Sequence, residues 1–476
     1  LPDFLQNFGQ SVVATLLFSN NILLAKTSGY WDLESNFKPL LHTWSLGVEE
    51  QFYIVFPLIL SAIWRFKRHW QLTSIALIGI ASIMAAEQGW RNSPAVSFYL
   101  PTTRAWELMA GCAAAYLRPS QHTLDDALSG LGLLGILSAV FLYDSSTPSP
   151  SLYMALPVLG TVLILLSSRP GTVAFRLLSI RPMIGIGLIS YSVYLWHQPI
   201  MALTRVASIG PPSKWLMGAL CLASIFLGWM SWRFVEVPFR SRQRVPLPIF
   251  AVLATSISAT VVASGLYLHV EQGLPKRIFP NIDSGGDVYI DYNMRVHRYA
   301  STEFQPGVKQ KVLIIGNSFA RDIANVLVES GATANTDMVY LESDAKSIIH
   351  GRSTTYAATL VRDADVIMIG GISNDPTEVA TELEALSKMT KARITTFGPK
   401  NFGWNLNPFG RVPVAQRSGV RSNVPLEVMA ANESLKTRIM SLGFDYVDVI
   451  RLFGGDGKTV PVFDELGNPL SPDRIH

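Results

Sequence analysis

Charged residues are scarce in this sequence of 476 residues: Asp, Glu, Lys and Arg together make up 16%, whereas apolar residues make up 49%. So low a charge content over so long a chain excludes an ordinary soluble protein and indicates a membrane protein. The net charge is only +4, and the cations lie in scattered short loops, which disfavours nucleic acid as a partner. Cysteine is nearly absent as well. Cys112 and Cys221 lie in apolar runs, where they behave as small hydrophobic residues and indicate no redox compartment.

Long apolar runs occupy the first half of the chain. Eight segments approach the ~20 apolar residues that a helix needs to cross a bilayer. They lie near Leu46–Trp64, Leu72–Glu87, Tyr99–Leu117, Ala127–Tyr143, Leu152–Ser168, Met183–Leu203, Trp215–Phe234 and Leu247–Leu268. An earlier run, Ser11–Ala25, contains Asn20 and Asn21 and is either part of a spanning segment or an interfacial helix.

Lysine and arginine are unevenly divided between the loops that join these segments. If the segments cross alternately, one set of loops holds most of the cations and the other holds few. The cation-rich loops are Arg65–Arg68, Arg169–Arg181 and Arg240–Arg244. By the positive-inside rule these loops are cytoplasmic, so everything after His269 lies on the opposite side of the membrane. The sequence therefore predicts a multi-pass membrane domain over residues 1–245 and a further spanning helix over residues 246–269.

The composition becomes that of a soluble domain after residues 270–310, a Pro- and Gly-containing stretch that is typical of a linker. Short β-branched runs then alternate with helical patterns. The predicted strands are Val312–Ile315, Met338–Leu341, Val366–Ile369, Ile394–Phe397 and Tyr446–Ile450, and the predicted helices include Phe319–Glu329, Thr377–Lys388 and Leu426–Ser441. Such alternation predicts a parallel sheet with crossover helices, so residues 311–476 should form a soluble α/β domain.

Ionisable side chains accompany the apolar segments at two places. His42, Glu49 and Glu50 lie at the start of a predicted spanning segment, where such groups are costly unless they face a cavity, a partner or a substrate. A functional site and the polar start of an interfacial helix both fit this pattern. Arg104 and Glu107 lie one helical turn apart, so they either form a structural ion pair or converge on a polar substrate.

Four stretches of the membrane part have long and distinctive sequences. They read LLHTWSLGVEEQFY at Leu40–Tyr53, RAWEL at Arg104–Leu108, SYSVYLWHQP at Ser190–Pro199 and RFVEVPFR at Arg233–Arg240. Together they resemble the acyltransferase-3 family of membrane O-acyltransferases, in the form that is fused to an SGNH-type domain. His42, Glu49, Glu50, Arg104 and Glu107 are our candidates for the membrane acyl-transfer site. We interpret His197 instead as a hydrogen-bonding residue near a helix end.

A serine at a predicted tight turn is the main feature of the soluble part. Residues Lys311–Asp322 read KVLIIGNSFARD, which predicts a strand, a turn and a helix start. This geometry would expose Ser318 at a helix N-terminus, whose amides and positive dipole can stabilise an oxyanion. Two later pieces follow in order, GISND at Gly371–Asp375 and DRIH at Asp473–His476.

These three pieces resemble the conserved blocks of SGNH hydrolases, which have a flavodoxin-like three-layer α/β fold. The resemblance implies Ser318 as nucleophile, His476 as general base and Asp473 as the carboxylate that orients it. It also implies an oxyanion hole formed by the Ser318 amide and Asn374. The usual Asp before the nucleophile is Asn317 here, which can keep the hydrogen bonds of the turn but removes a charge.

The resemblance implies an enzyme of the bacterial inner membrane with a periplasmic C-terminal domain. It would transfer an acyl group, usually acetyl, from acetyl-CoA to a hydroxyl of a surface glycan such as O-antigen, peptidoglycan or exopolysaccharide, with Ser318 as acyl carrier. Acyl-CoA is then a donor substrate, and we expect no bound cofactor or metal. Two alternatives stay open: a glycan esterase or deacetylase, and a glycan transporter whose soluble domain only binds.

The family also has an essential His and a nearby Arg in a first spanning helix that this sequence lacks, so we expect a chain truncated at both ends.

Overall fold

The computed structural model describes residues 1–27, 35–117, 124–241, 243–279, 292, 294–307, 309–351 and 353–471. The chain divides into two compact units. The first, which we call the membrane unit, contains residues 4–205 and 212–271. The second, the α/β unit, contains residues 272–476 together with two short segments, residues 1–3 and 206–211.

The described part of the membrane unit is helical. Its helices are α1 (Pro2–Leu16), α2 (Asn20–Lys26), α3 (Trp44–Ile63), α4 (Arg68–Asn92), α5 (Pro94–Tyr99), α6 (Pro101–Tyr116), α7 (Asp125–Leu142), α8 (Ala155–Ser167), α9 (Val173–Leu178), α10 (Arg181–Ala207), α11 (Lys214–Ser231), α12 (Val237–Arg240) and α13 (Leu247–Val270). A five-residue π-helical stretch, Trp232–Glu236, joins α11 to α12. Exposed apolar side chains are abundant on these helices, as expected where lipid replaces water.

Five of the described helical segments are long and apolar enough to cross a membrane. They are Leu41–Ile63, Arg68–Asn92, Asp125–Leu142, Lys214–Arg240 and Leu247–Val270. The predicted segment near Leu152–Ser168 is a shorter apolar helix, and the segments near Tyr99–Leu117 and Met183–Leu203 form α6 and α10. The multi-pass helical membrane domain is therefore confirmed.

Glycines allow α7 and α8 to pack closely. A Cβ atom at Gly132 would lie 2.5 Å from the backbone oxygen of Gly160, and a Cβ atom at Gly160 would lie 2.7 Å from the backbone oxygen of Gly132. Small residues are the usual means by which helices approach each other in lipid, where no hydrophobic driving force brings them together.

The strands of the α/β unit are β1 (Gln310–Gly316), β2 (Thr336–Leu341), β3 (Val366–Gly370), β4 (Arg393–Phe397), β5 (Arg421–Asn423), β6 (Asp445–Val447) and β7 (Thr459–Pro461). Five of them form a parallel sheet in the order β2-β1-β3-β4-β6, and β5 and β7 form a small antiparallel pair. The helices are α14 (Ser318–Glu329), α15 (Ala345–Ile349), α16 (Ala357–Asp363), α17 (Pro376–Ser387), α18 (Leu426–Ser441) and α19 (Val449–Gly454). This strand order is that of flavodoxin-like doubly wound folds.

Apolar side chains cover both faces of the sheet. Leu313 and Ile315 of β1 point into a core that α16, α17 and α18 complete. The alternate residues, Val312 and Ile314, point into a second core that α14 closes. Since successive strand residues face opposite sides, the continuous apolar run of β1 is that of a strand buried between two helical layers.

Sequence and structure differ at two places in this unit. The run Tyr446–Ile450 was predicted to be one strand, but β6 ends at Val447 because Asp448 begins α19, accepting a hydrogen bond from the Arg451 amide at 3.1 Å. Within the predicted linker, Val296 is fully buried against the core of β1 and β2. The described end of that stretch therefore packs on the α/β unit.

Candidate functional site

Two buried asparagines hold the start of α3, which follows a single turn of 3₁₀ helix at Leu41–Thr43. The Asn20 amide donates hydrogen bonds to the Leu40 carbonyl (2.9 Å) and to the Thr43 hydroxyl (2.8 Å). The Gln51 amide donates to Asn21 Oδ1 at 2.9 Å. Both asparagines have no exposed surface. In the sequence, these contacts are indicated only by two adjacent amide side chains within an apolar run.

His42 is the most unusual side chain of the membrane unit. It is only 7% exposed, and neither ring nitrogen has a hydrogen-bonding partner among the described residues. Its ring contacts those of Tyr194 and His197, with centroids 5.0 and 5.3 Å away. A buried polar group without a partner costs about 1–3 kcal/mol, so it indicates a functional role or a bound molecule.

Tyr194 joins the first and third motif stretches. Its hydroxyl donates a hydrogen bond to the backbone oxygen of His42, and Ser45 Oγ lies 2.8 Å from the same hydroxyl. His197 Nδ1 lies 2.6 Å from the Tyr194 carbonyl oxygen, which agrees with a hydrogen-bonding role. The contact between the His197 and His42 rings was not anticipated from the sequence, because their proximity depends on how α10 packs beside α3.

Arg104 is extensively bonded. Its Nη1 atom lies 3.0 Å from Glu107 Oε1, and its Nε atom donates to the Phe98 carbonyl at 3.2 Å. The guanidinium also lies over the rings of Trp44 and Phe98, 5.0 and 4.6 Å from their centroids. The ion pair expected from the helical spacing is present, and it fixes the second motif stretch against the first.

The fourth motif stretch contacts the third. Glu236 accepts a hydrogen bond from Ser192 at 2.9 Å and pairs with Arg240 at 2.6 Å. Glu236 closes the π-helical stretch, a feature often found at functional sites. Glu49 and Glu50, by contrast, are half-buried and make no hydrogen bond or ion pair with any residue that the structure describes. The four stretches therefore form one connected group, which we call the His42 cluster.

The candidate nucleophile of the α/β unit lies at the turn between β1 and α14. Gly316 has a φ of +144°, and a Cβ atom there would come within 2.9 Å of the Ala320 Cβ atom and overlap the Gly370 carbonyl. Asn317 caps α14 by accepting a hydrogen bond from the Phe319 amide at 3.1 Å, so it keeps the turn as expected. Ser318 is the first residue of the helix.

Ser318 differs from expectation in being buried. It is 3% exposed, and its Oγ atom has no hydrogen-bonding partner among the described residues. Ser318 is among the residues that line a cavity of about 790 Å³, which we call the Ser318 cavity, but its Oγ atom has almost no accessible surface there. Pro469 and Leu470 line the same cavity. Asp473 and His476, the predicted partners of Ser318, lie outside the described residues.

The GISND stretch begins against the nucleophile turn. Gly371 has a φ of +74°, and a Cβ atom on it would come within 2.5 Å of the Asn317 amide nitrogen and closer still to its oxygen. Asn374 is exposed, and its side chain makes no hydrogen bond with a described residue. Asp375 caps α17 by accepting a hydrogen bond from the Thr377 amide at 2.8 Å. The structure thus brings Gly371 against Asn317, the residue before Ser318, but it does not show Asn374 directed at the nucleophile.

An ion pair beside Ser318 was missed by the sequence analysis. Lys400 Nζ pairs with the Asp322 carboxylate, and both residues line the Ser318 cavity. Lys400 lies three residues after β4 in a Gly-Pro-Lys-Asn sequence, which is a turn signal that carries no functional indication by itself.

Among the described residues, no group of three or more His, Cys, Asp or Glu side chains is arranged to hold a metal ion.

Comparisons with known proteins concern the membrane unit. A family model described as "Acyltransferase domain" matches residues 4–270. The chain is 29% identical over 260 residues to the peptidoglycan O-acetyltransferase OatA of Listeria monocytogenes, and 24% identical over 259 residues to the O-acetyltransferase OatA of Staphylococcus aureus. These matches cover 50% and 51% of this chain, but only 41% and 43% of the relatives, so the chain spans less than half of their length. No solved structure matches the chain.

Proposed function

Since the chain belongs to the acyltransferase domain family, we propose that it is a membrane O-acetyltransferase that passes an acetyl group from acetyl-CoA to a hydroxyl of a cell-surface glycan. The named activities of its relatives support acetyl as the acyl group and a cell-wall glycan as the acceptor. The protein would lie in the inner membrane, with its α/β unit in the periplasm, as the distribution of cations between the loops predicts.

The observation that carries this proposal is the buried His42 ring, which the third motif stretch contacts and which belongs to the group that connects all four stretches. A buried imidazole whose two nitrogens have no partner among the described residues can accept a proton from one group and donate a proton to another, which acyl transfer from a thioester requires. The Tyr194 hydroxyl, which also contacts Ser45, donates a hydrogen bond to the His42 carbonyl oxygen and so fixes the backbone of His42. In this role His42 would accept the proton of the attacking hydroxyl and donate a proton to the leaving thiolate. The acyl carbon would meanwhile form a bond to the hydroxyl oxygen and lose its bond to sulfur.

Arg104 and Glu107 would act mainly by position. The guanidinium is held by Glu107 and by the rings of Trp44 and Phe98, so it fixes the polypeptide beside the start of α3. Glu49 and Glu50 have carboxylates without described partners, and this leaves them free to meet a substrate. We therefore assign substrate contact to these two glutamates and positioning to the Arg104–Glu107 pair.

Ser318 would carry the acetyl group in the α/β unit. Ser318 lies at a helix N-terminus and lines a large cavity, and its hydroxyl has no described hydrogen-bonding partner, so it can donate a hydrogen bond to a general base. We assign that base to His476 and its orientation to Asp473. We assign the oxyanion hole to the Ser318 amide and Asn374, whose side chain would turn toward the substrate on binding.

Trapping of the acyl carrier tests the proposed route. Full-length protein in membrane vesicles is supplied with isotopically labelled acetyl-CoA, and peptides that contain Ser318 are analysed by mass spectrometry. We expect label on Ser318 in the parent, none in Ser318→Ala, and strongly reduced label in His42→Gln. His69→Gln is a matched control because His69 is an exposed histidine of α4. Label that reaches the glycan equally well in Ser318→Ala would refute the carrier role.

A further inference from the structure

The Ser318 cavity is larger than an acetyl group requires. Its volume of about 790 Å³ is in the range of sites that bind whole small molecules. Its walls are mainly apolar and include the rings of Phe319, Phe402 and Phe453. The rings of Phe402 and Phe453 are in edge contact, with centroids 5.6 Å apart. The cavity therefore offers aromatic surface as well as volume beside the nucleophile.

An ion pair between a buried lysine and a partly exposed aspartate supplies polar groups to these apolar walls. Lys400 is 9% exposed, its ammonium pairs with Asp322, and it lies 5.2 Å from the centroid of the Phe319 ring. Asp322 lies four residues after Ser318, so both side chains point to the same face of α14. Such an ion pair is a weak source of stability, because removing the lysine charge from water offsets most of its attraction to the carboxylate. Its position one helical turn from the nucleophile indicates a functional role.

We propose that Lys400 and Asp322 form the acceptor subsite of the Ser318 cavity, where they bind hydroxyl groups of a neutral sugar ring. The ammonium donates a hydrogen bond to one hydroxyl and the carboxylate accepts one from its neighbour. The phenylalanine rings pack against the apolar face of the sugar. This subsite rests on the proposed function, because it presupposes that Ser318 carries the acyl group.

The reaction at this subsite exchanges one ester for another. The oxygen of an acceptor hydroxyl forms a bond to the acyl carbon, and the bond between that carbon and Ser318 Oγ breaks. The proton of the acceptor hydroxyl passes through the general base to Ser318 Oγ, so the serine is regenerated. Lys400 and Asp322 hold the acceptor during this step and exchange no proton with it.

The charges around the cavity favour a neutral acceptor over an anionic one. Glu329 and Asp464 line the cavity in addition to Asp322, whereas Lys400 is the only lysine or arginine among the described lining residues. Lys400 pairs with Asp322 and Arg295 pairs with Glu329. Asp464 therefore adds one negative charge to these pairs. An acidic sugar or a phosphate would be repelled by this negative charge. A neutral polyhydroxylated ring matches both members of the ion pair.

The test separates acceptor binding from ester chemistry. Full-length protein in detergent is given a chromogenic acetyl ester and increasing amounts of a neutral chito-oligosaccharide, and both the released chromophore and the acetylated oligosaccharide are measured. We expect Lys400→Met to raise the KM for the oligosaccharide roughly ten- to a hundredfold, which is the effect of losing a hydrogen bond from a charged group. Arg393→Met is the matched control, because Arg393 forms an exposed ion pair with Asp445 at the opposite end of β4.

Three outcomes would overturn the subsite. An unchanged oligosaccharide KM in Lys400→Met, with chromophore release still dependent on Ser318, would remove the subsite and leave the proposed function intact. Altered preference for longer acyl esters, without a change in that KM, would assign the cavity to the acyl chain instead. Equal chromophore release by the parent and by Ser318→Ala would refute both the subsite and the proposed function of Ser318. If Lys400→Met does not fold, the near-isosteric Asp322→Asn variant decides by the same criteria.

Discussion

Gly371→Ala perturbs the contact between the GISND stretch and the nucleophile turn. Gly371 has a φ of +74°, where a residue with a Cβ atom is strained, and the added methyl group would overlap the side-chain amide of Asn317. To make room, Asn317 must rotate away from its hydrogen bond with the Phe319 amide. The substitution therefore removes the N-terminal cap of α14, directly before Ser318.

The structure provides a matched control for this change. Gly331 has the same φ of +74°, but no heavy atom lies within 4 Å of a Cβ atom built there. The left-handed conformation costs an alanine roughly 1–2 kcal/mol at either position. Loss of a helix cap adds about 1 kcal/mol at Gly371 alone. We expect Gly371→Ala to lower the free energy of unfolding by roughly 2–3 kcal/mol and Gly331→Ala by roughly 1–2 kcal/mol.

Guanidinium titration of a soluble fragment that begins at Gln272 measures this difference, with Trp404, its single tryptophan, as fluorescent probe. Gly371→Ala should also lower ester hydrolysis beyond its effect on folding, whereas Gly331→Ala should leave hydrolysis by the folded protein at the parent level. Equal losses of stability in the two variants, together with equal hydrolysis, would show that Gly371 does not support the nucleophile turn.

Three further predictions concern separate parts of the chain. Arg417→Met should lower the free energy of unfolding of the same fragment by about 3–5 kcal/mol. The reason is that the buried guanidinium donates hydrogen bonds to the carbonyls of Ile278 (2.6 Å) and Gly467 (2.7 Å). A loss below about 1 kcal/mol would contradict this prediction. Hydrogen bonds from Lys346 and Ser373 lower the pKa of Glu378, so its contribution to stability should be present above about pH 4.5 and lost as the pH falls through its lowered folded value. The stability difference between the parent and Glu378→Gln, measured by denaturation across this range, should shrink on acidification, and a constant difference would contradict the assignment. Cysteines introduced at Ser347 or Thr459 should react with a membrane-impermeant reagent in intact spheroplasts, and protection of both would reverse the predicted topology.

Local patterns predicted most of the fold. The apolar run of β1, the turn at Ser318 and the helical periodicity of α14 are properties of neighbouring residues, and they lie within a few residues of their predicted positions. The end of β6 was misplaced because the apolar residues of α19 continue the β-branched run beyond Asp448. Only the cap at Asp448 separates the two elements.

The candidate sites were predictable to a smaller extent. The Arg104–Glu107 pair follows from helical spacing, and it is present. The ion pair of Lys400 with Asp322 joins residues 78 positions apart, which meet because of the strand order in the sheet. The contact between His42 and His197 likewise depends on helix packing, which no local pattern encodes.

Mass spectrometry of base-labile acetyl groups on the surface glycan of a deletion strain tests the central claim most directly. The strain is complemented with the full-length parent, with Ser318→Ala, with His42→Gln or with the His69→Gln control. We expect acetyl groups to be absent in the deletion strain, restored by the parent and by His69→Gln, and absent again with either of the other variants. Glycan acetylation that persists in the deletion strain, or that well-expressed Ser318→Ala and His42→Gln restore fully, would contradict O-acetyl transfer through these two residues.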